Sequence, residues 1–346
     1  MNKPPITIIG SSGNMGNAFS GLFESKGLQV LKADLNTELK PEEAIPQADI
    51  IIFSVPIRQT SDIIQKLAPL AKPGSLITDL TSIKSPAVQA MIQAAQDSCE
   101  VLGLHPMFGP NMVEDLTKQV IAVCKVRTGS LTDWLLKFFE DQGAVLKETT
   151  PEEHDKMMSI IQGLTHLSSI ATAMALQKLG FKAEESLEYS SPIYRLRLDM
   201  VGRILSQSPD LYADIAIQNP LTIESLRVYQ QSIEELASSI KNQDTQGFIQ
   251  EFQRAAEYLG DFKDDAYRRT TELILRTKDI LGFVISTEAE GKRREAKWRN
   301  LEPPQWCVQH CPVQNHLSSG KRFLRSVHHQ NSTTPVEMTT KLSLFI

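Results

Sequence analysis

Ile6-Thr-Ile-Ile-Gly-Ser-Ser-Gly-Asn-Met-Gly16 decides how the first half of the chain is read. Ile6 to Ile9 is a short β-branched run, and the glycines follow without a spacer. Asn17 to Glu24 then places Ala18, Phe19, Leu22 and Phe23 on one side of a helix. Strand, glycine-rich turn and helix together are the setting of a dinucleotide site. Glycines let backbone N–H groups approach a pyrophosphate, and a helix N-terminus favours negative charge. Gly10, Ser11, Gly13, Asn14, Met15 and Gly16 are therefore candidate cofactor contacts. The pattern departs from G-x-G-x-x-G, because Ser11 occupies the first glycine slot and Gly10 stands one place earlier.

The residues beyond this turn keep the rhythm. Residues 27–33 read as a second strand ending at Asp34, an acidic group suited to the hydroxyls of a ribose and hostile to a 2′-phosphate. That favours NAD over NADP, although Asp34 could instead cap the next turn. Residues 49–55 form a fully apolar strand closed by Pro56, and Val55 and Pro56 join the candidate cofactor contacts. Strands at 75–80, 101–102, 120–124 and 144–146 alternate with helical segments. The expected fold is α/β, with a doubly wound, mostly parallel sheet over residues 1–150.

Two strand ends in this half carry reactive groups. One is Thr81-Ser-Ile-Lys84; the other is Gly103-Leu-His-Pro-Met-Phe-Gly-Pro110. Open α/β sheets place ligands at such ends. Pro106 directly after His105, with Pro110 beyond it, restricts the backbone at the histidine. Its imidazole is a candidate general base, with a simple loop hydrogen bond as the plainer alternative.

After Pro151 the strand signals stop, and residues 151–282 read as a helical domain. Residues 152–179 form one long helical pattern with Met157, Ile161, Leu164, Ser168, Ala171 and Ala175 along one stripe. Ser159, Gln162, His166, Ser169 and Ala173 form a second, small and polar face. A helix after Pro192 carries Arg195 and Arg203, separated by about 80° around the axis and about 12 Å along it. They could grip a dianionic substrate, or form a surface ladder with Asp199 between them. Pro209 and Pro220 read as breaks, followed by three amphipathic helices over 221–239, 245–258 and 264–281. An elongated helical domain of this kind predicts a homodimer.

The chain has 346 residues, a formal charge of −5 and four cysteines, too few and too scattered for a disulfide framework. It shows neither a signal-peptide pattern at its start nor an apolar run long enough for a membrane helix, so the expected compartment is the cytoplasm. The charge is uneven: from Phe283 onward nine Lys and Arg face five Glu, which leaves the body acidic and argues against nucleic-acid binding. Residues 283–346 are expected to be a basic, poorly ordered extension. Cys307 and Cys311 with His310 and His316 form a weak zinc pattern there, and no metal is expected.

Taken together, Gly10-x-x-Gly13-Asn-Met-Gly16, Asp79-Leu-Thr-Ser-Ile-Lys84, Gly103-Leu-His-Pro-Met-Phe-Gly-Pro110, Glu153-His-Asp-Lys-Met-Met158 and Ser191-Pro-Ile-Tyr-Arg-Leu-Arg-Leu-Asp-Met-Val-Gly-Arg203 resemble the prephenate dehydrogenase family. The resemblance runs over about residues 5–282 and is nearest to the dehydrogenase half of bifunctional chorismate mutase–prephenate dehydrogenases. No mutase helix precedes Ile6, so no mutase activity is expected. The resemblance implies NAD-dependent oxidative decarboxylation of prephenate to 4-hydroxyphenylpyruvate in tyrosine biosynthesis. It implies His105 as the base, Ser82 as its orienting partner or that of the substrate hydroxyl, and Arg203 on the ring carboxylate. Arg195 would support Arg203, and His166 would lie near the substrate's side chain. Lys84 and His154 match family positions in supporting roles. Competing readings are an arogenate dehydrogenase of the same fold, a β-hydroxyacid dehydrogenase using an interdomain lysine, and a non-catalytic NAD sensor. The sensor would have no need of His105, Ser82 and Arg203 together.

Overall fold

Parallel strands buried on both faces must be apolar at every position, and Ile6–Ile9 and Ile50–Phe53 are buried throughout. In the computed structural model, which describes residues 3–277, they are neighbouring interior strands of a single sheet. The strands are β1 (Ile6–Ile9), β2 (Val30–Ala33), β3 (Ile50–Phe53), β4 (Leu76–Asp79), β5 (Glu100–Pro106), β6 (Val120–Arg127) and β7 (Val145–Glu148). Their order is β2-β1-β3-β4-β5-β6-β7. Helices α1 (Asn14–Ser25), α2 (Pro41–Ala44), α3 (Ile57–Leu67), α4 (Ser85–Ala94) and α5 (Ser130–Asp141) join them.

Alternation along each strand sorts the core into two layers. Ile6, Ile8, Ile50 and Ile52 face α1 and α5, where Phe19, Phe23 and Phe139 fill one side. Ile9, Ile51 and Phe53 face Ile64 of α3 and Met91 of α4 on the other. Every neighbouring pair is parallel except β5 and β6, which run antiparallel. The reason is local: residues 107–119 carry only a short 3₁₀ turn, Pro110–Met112, and no crossover helix that would return the chain to a parallel start.

The remaining described chain is helical: α6 (Pro151–Met158), α7 (Thr165–Lys178), α8 (Ala183–Leu187), α9 (Pro192–Leu205), α10 (Pro209–Gln218), α11 (Thr222–Lys241), α12 (Thr245–Leu259) and α13 (Phe262–Thr277). Thr150 starts α6 with a capping box, its hydroxyl accepting from the Glu153 N–H.

Two expectations change here. The long helix over 152–179 is interrupted by a π-helical stretch, Ser159–Leu164, between α6 and α7. The side turned inward is therefore His154, Asp155, Met158, Ser159 and Gly163, whereas Met157 and Ile161 of the expected apolar stripe are exposed. Pro209 and Pro220 stand at breaks as expected, between α9 and α10 and between α10 and α11, and Pro209 opens α10, where its missing N–H costs nothing. The expected basic extension over 283–346, with its cysteine and histidine cluster, lies outside the described residues. Among those described, no helix is long and apolar enough to cross a membrane, and no group of acidic, Cys and His side chains is arranged to hold a metal.

Candidate active site

The glycine turn has the shape its composition demands. Gly10 takes φ +84°, and a Cβ there would lie 2.2 Å from the Ser54 carbonyl oxygen, with Val55 beside it. A Cβ on Gly16 would lie 2.3 Å from the Gly10 carbonyl oxygen, so α1 can approach β1 only without one. Gly10 thus makes the tight turn, and Ser11 is a buried residue beside it whose hydroxyl has no partner among the described residues. Gly13 is the N-cap of α1 and supplies no side-chain cap, leaving the helix start open to an anion. Asn14 is exposed at that start and Met15 half-buried behind it.

Asp34 closes the cradle from β2. Its carboxylate accepts from the backbone N–H of Ser12 at 3.0 Å and of Leu35 at 2.7 Å. These bonds hold an anionic acceptor against the glycine turn. Val55 and Pro56 follow β3 next to Gly10, and Pro56 is the N-cap of α3. A cradle that excludes Cβ atoms, an open helix start and a fixed acidic group suit a dinucleotide's pyrophosphate and ribose.

His105 lies in β5 and is 3% exposed. Its Nδ1 is 2.8 Å from Nε2 of His154, whose Nδ1 is 2.9 Å from the Asp155 carboxylate. The tautomers follow in sequence. An ionised carboxylate only accepts, so His154 carries its proton on Nδ1 and offers a lone pair at Nε2. His105 must then donate from Nδ1, which leaves the lone pair on its own Nε2. Burial, with smaller contributions from His154 and Lys84, holds the His105 pKa well below its ordinary 6.5. A neutral imidazole with one free lone pair is a proton acceptor.

Asp155 is fastened on both oxygens. They accept from the N–H groups of Lys84 at 2.7 Å and Ser85 at 2.8 Å, at the start of α4. Burial pushes this carboxyl's pKa up, but the hydrogen bonds from His154, Lys84 and Ser85 outweigh it and the net shift is downward. Asn219 donates to the Asp155 carbonyl at 2.8 Å, securing the same residue from the helical side.

Lys84 is not free to meet a ligand. Fully buried, its ammonium is paired with Asp79 and donates to the Leu104 carbonyl at 2.5 Å, next to His105. Ser82 is half-buried in the loop after β4, and among the described residues its hydroxyl has no partner.

The helical residues form a second group. His166 on α7 is half-buried with its ring edge-on to Tyr212 of α10, centroids 4.5 Å apart. Burial lowers its pKa, so it too is neutral near pH 7. Arg203 on α9 is exposed, without an ion-pair partner among the described residues, and close enough to Tyr212 to oppose the upward shift that burial gives that phenol. Arg195 pairs with Asp199 at 3.2 Å. The expected ladder therefore forms only on its Arg195 side. Arg58, just after Pro56, reaches Asp214 at 3.0 Å and Asp210 at 2.9 Å on α10, tying the cofactor side to the helix that bears Tyr212.

Asp155, Tyr212 and Arg58 were not expected at the site. Asp155 had a signal, its place beside His154 in the Glu153-His-Asp-Lys run. Tyr212 and Arg58 had none, because their contacts join distant segments.

Two family models match in succession: a prephenate dehydrogenase nucleotide-binding domain over residues 21–147 and a prephenate dehydrogenase dimerization domain over 150–254. The first match starts beyond the glycine turn. The T-protein of Haemophilus influenzae is 33% identical over 275 residues, covering 80% of this chain and 72% of that protein. The T-protein of Enterobacter agglomerans is 36% identical over 257 residues, covering 74% and 68%. Among solved structures, prephenate dehydrogenase from Aquifex aeolicus, in complex with hydroxyphenyl propionate and NAD⁺, superposes with a TM-score of 0.59 at 20% identity, covering 78% of this chain and 99% of that one. Arogenate dehydrogenase from Synechocystis superposes at 0.56 and 21% identity, covering 76% and 99%. Both superpositions show a shared fold.

Proposed function

Because the chain belongs to the prephenate dehydrogenase family, we propose that it oxidatively decarboxylates prephenate to 4-hydroxyphenylpyruvate and CO₂, on the way to tyrosine. The observation that carries this reading is the His105–His154–Asp155 chain, which ends in an unprotonated Nε2 at a strand end of the sheet. NAD⁺, when bound along the glycine turn, supplies the hydride acceptor for the substrate's ring carbinol carbon. Asp34 favours the unphosphorylated ribose, since a carboxylate fixed by two N–H groups would repel a 2′-phosphate.

His105 Nε2 accepts the ring hydroxyl proton as the hydride departs, so the carbinol becomes a carbonyl. The bond from the quaternary ring carbon to its carboxylate then breaks, and its electron pair enters the ring. The carbonyl oxygen becomes a phenolate, which regains the proton from His105. Protons balance, and aromatisation drives the loss of CO₂. His154 and Asp155 stabilise the imidazolium between the two transfers. Arg203, free of a local carboxylate, holds the ring carboxylate; Arg195 steadies the same helix through Asp199. Ser82 orients the hydroxyl towards His105, and His166 lies along the substrate's side chain.

The working unit is a homodimer. Ile223, Ile240 and Phe252 are 70%, 67% and 68% exposed, apolar side chains of the kind that a second copy would cover. Sedimentation of the purified protein tests the dimer. NADH formation with prephenate and with arogenate, side by side, tests the reaction and its substrate.

A further inference from the structure

Two buried polar atoms on one helical face have no partner and no part in the proton chain. They are Oε1 of Gln162 and Nδ1 of His166, unbonded among the described residues and closed to water. The two residues are four apart, and such neighbours share a face. Gln162 lies inside the π-helical stretch Ser159–Leu164. π stretches occur often at functional sites, since the extra residue re-aims side chains at a cost in regularity. Buried polar groups are nearly always paired, so two orphans on one face call for a ligand.

The surroundings narrow the ligand. Tyr212 stands against His166, and Arg203 acts on Tyr212, so the face belongs to the region already assigned to the substrate. His166 is neutral and Gln162 carries no charge, which leaves the substrate's carboxylates to the arginines. What remains is the substituent beside the side-chain carboxylate: a keto oxygen in prephenate, an ammonium in arogenate. A primary amide can serve either. Its oxygen accepts from an ammonium, and after a half-turn its nitrogen donates to a keto group.

We propose that Gln162 is the residue that reads this substituent and sets the balance between keto and amino substrates. The proposal rests on the reaction assigned above. Gln162→Met keeps length and removes both hydrogen-bonding atoms; Gln162→Glu keeps the acceptor and adds a negative charge that favours the ammonium and repels the keto oxygen.

The test compares kcat and KM for prephenate and for arogenate in the wild-type protein and both variants. The ratio of the two kcat/KM values does not depend on the fraction of protein folded. Gln162→Glu should move that ratio towards arogenate by about tenfold or more, and Gln162→Met should raise KM for the preferred substrate by roughly tenfold with kcat nearly kept. An unchanged ratio in Gln162→Glu together with unchanged KM in Gln162→Met would overturn the proposal while leaving the reaction intact. A wild-type protein that binds NAD⁺ but oxidises neither substrate would overturn the reaction itself, and the proposal with it.

Discussion

Nδ1 of His105 and Nε2 of His154 stand 2.8 Å apart, and this contact fixes which nitrogen of His105 is left to accept a proton. Because His154 is held in turn by Asp155, a change of one atom at Asp155 should be felt two residues away. An Asn at 155 must set its NH₂ against the N–H of Lys84 or of Ser85; turned to the Lys84 side it faces His154, which reverses both tautomers and places a proton on His105 Nε2. Asp155→Asn is expected to lower kcat by about 10²–10⁴-fold. Steady-state kinetics and NAD⁺ titration should show the loss in turnover and an unchanged cofactor affinity.

The pH profile follows from the same burial. His105 is held well below 6.5, so it stays unprotonated through neutrality. The acid limb of kcat/KM is expected to lie clearly below pH 6.5 rather than at it. Stability has the same sign. A histidine whose folded pKa is depressed takes up protons more readily when unfolded, so its contribution is complete above 6.5 and is lost as pH falls towards the folded value. Rate and denaturation measurements across pH 5 to 8 should both decline only on the acid side.

Lys84 has a structural task. Removing its ammonium leaves the Asp79 carboxylate buried and uncompensated, and the Leu104 carbonyl without its donor. Lys84→Met is expected to cost about 3–5 kcal/mol in stability. Adding Asp79→Asn should recover part of that loss, because the stranded charge is gone. Urea denaturation of the single and double variants measures both effects.

At the glycine turn, the predicted outcome concerns binding. Gly16→Ala would place a methyl group 2.3 Å from the Gly10 carbonyl oxygen, which backbone movement alone can relieve. NAD⁺ affinity should fall by roughly tenfold or more, since the turn and the helix start must shift together. Calorimetric titration reports it directly.

Much of this was legible in the residues. The β-branched runs at Ile6 and Ile50 announce strands buried on both faces, and Gly10 to Gly16 announce the cradle. His105 stands out because a histidine directly before a proline at a strand end has a restricted backbone. The antiparallel β6 was not legible, since it depends on what residues 107–119 fail to form. The inward face of α6 was missed because it is mostly polar: His154 and Asp155 pack inward with Met158 while Met157 stays outside. Hydrophobic periodicity cannot identify a face that docks by hydrogen bonds. Nor can it pair Arg58 with Asp210 and Asp214, which meet only when α10 folds back onto α3.

Arg203 and Arg195 should respond differently to truncation. Arg203 has no carboxylate partner among the described residues, whereas Arg195 is engaged with Asp199. Arg203→Gln is expected to raise KM for prephenate by about tenfold or more, as loss of a charge-assisted pair should. Arg195→Gln should have the smaller effect on KM.

The central claim is that His105 is the base in an NAD-dependent oxidation of prephenate. It is tested most directly by following NADH absorbance with purified wild-type protein and His105→Asn, given NAD⁺ and prephenate, with arogenate in parallel. The account predicts turnover of prephenate by the wild type and a fall of about 10²–10⁴-fold in the variant, with NAD⁺ still bound. Equal rates in the two proteins, or a wild type that binds NAD⁺ and oxidises neither compound, would contradict it.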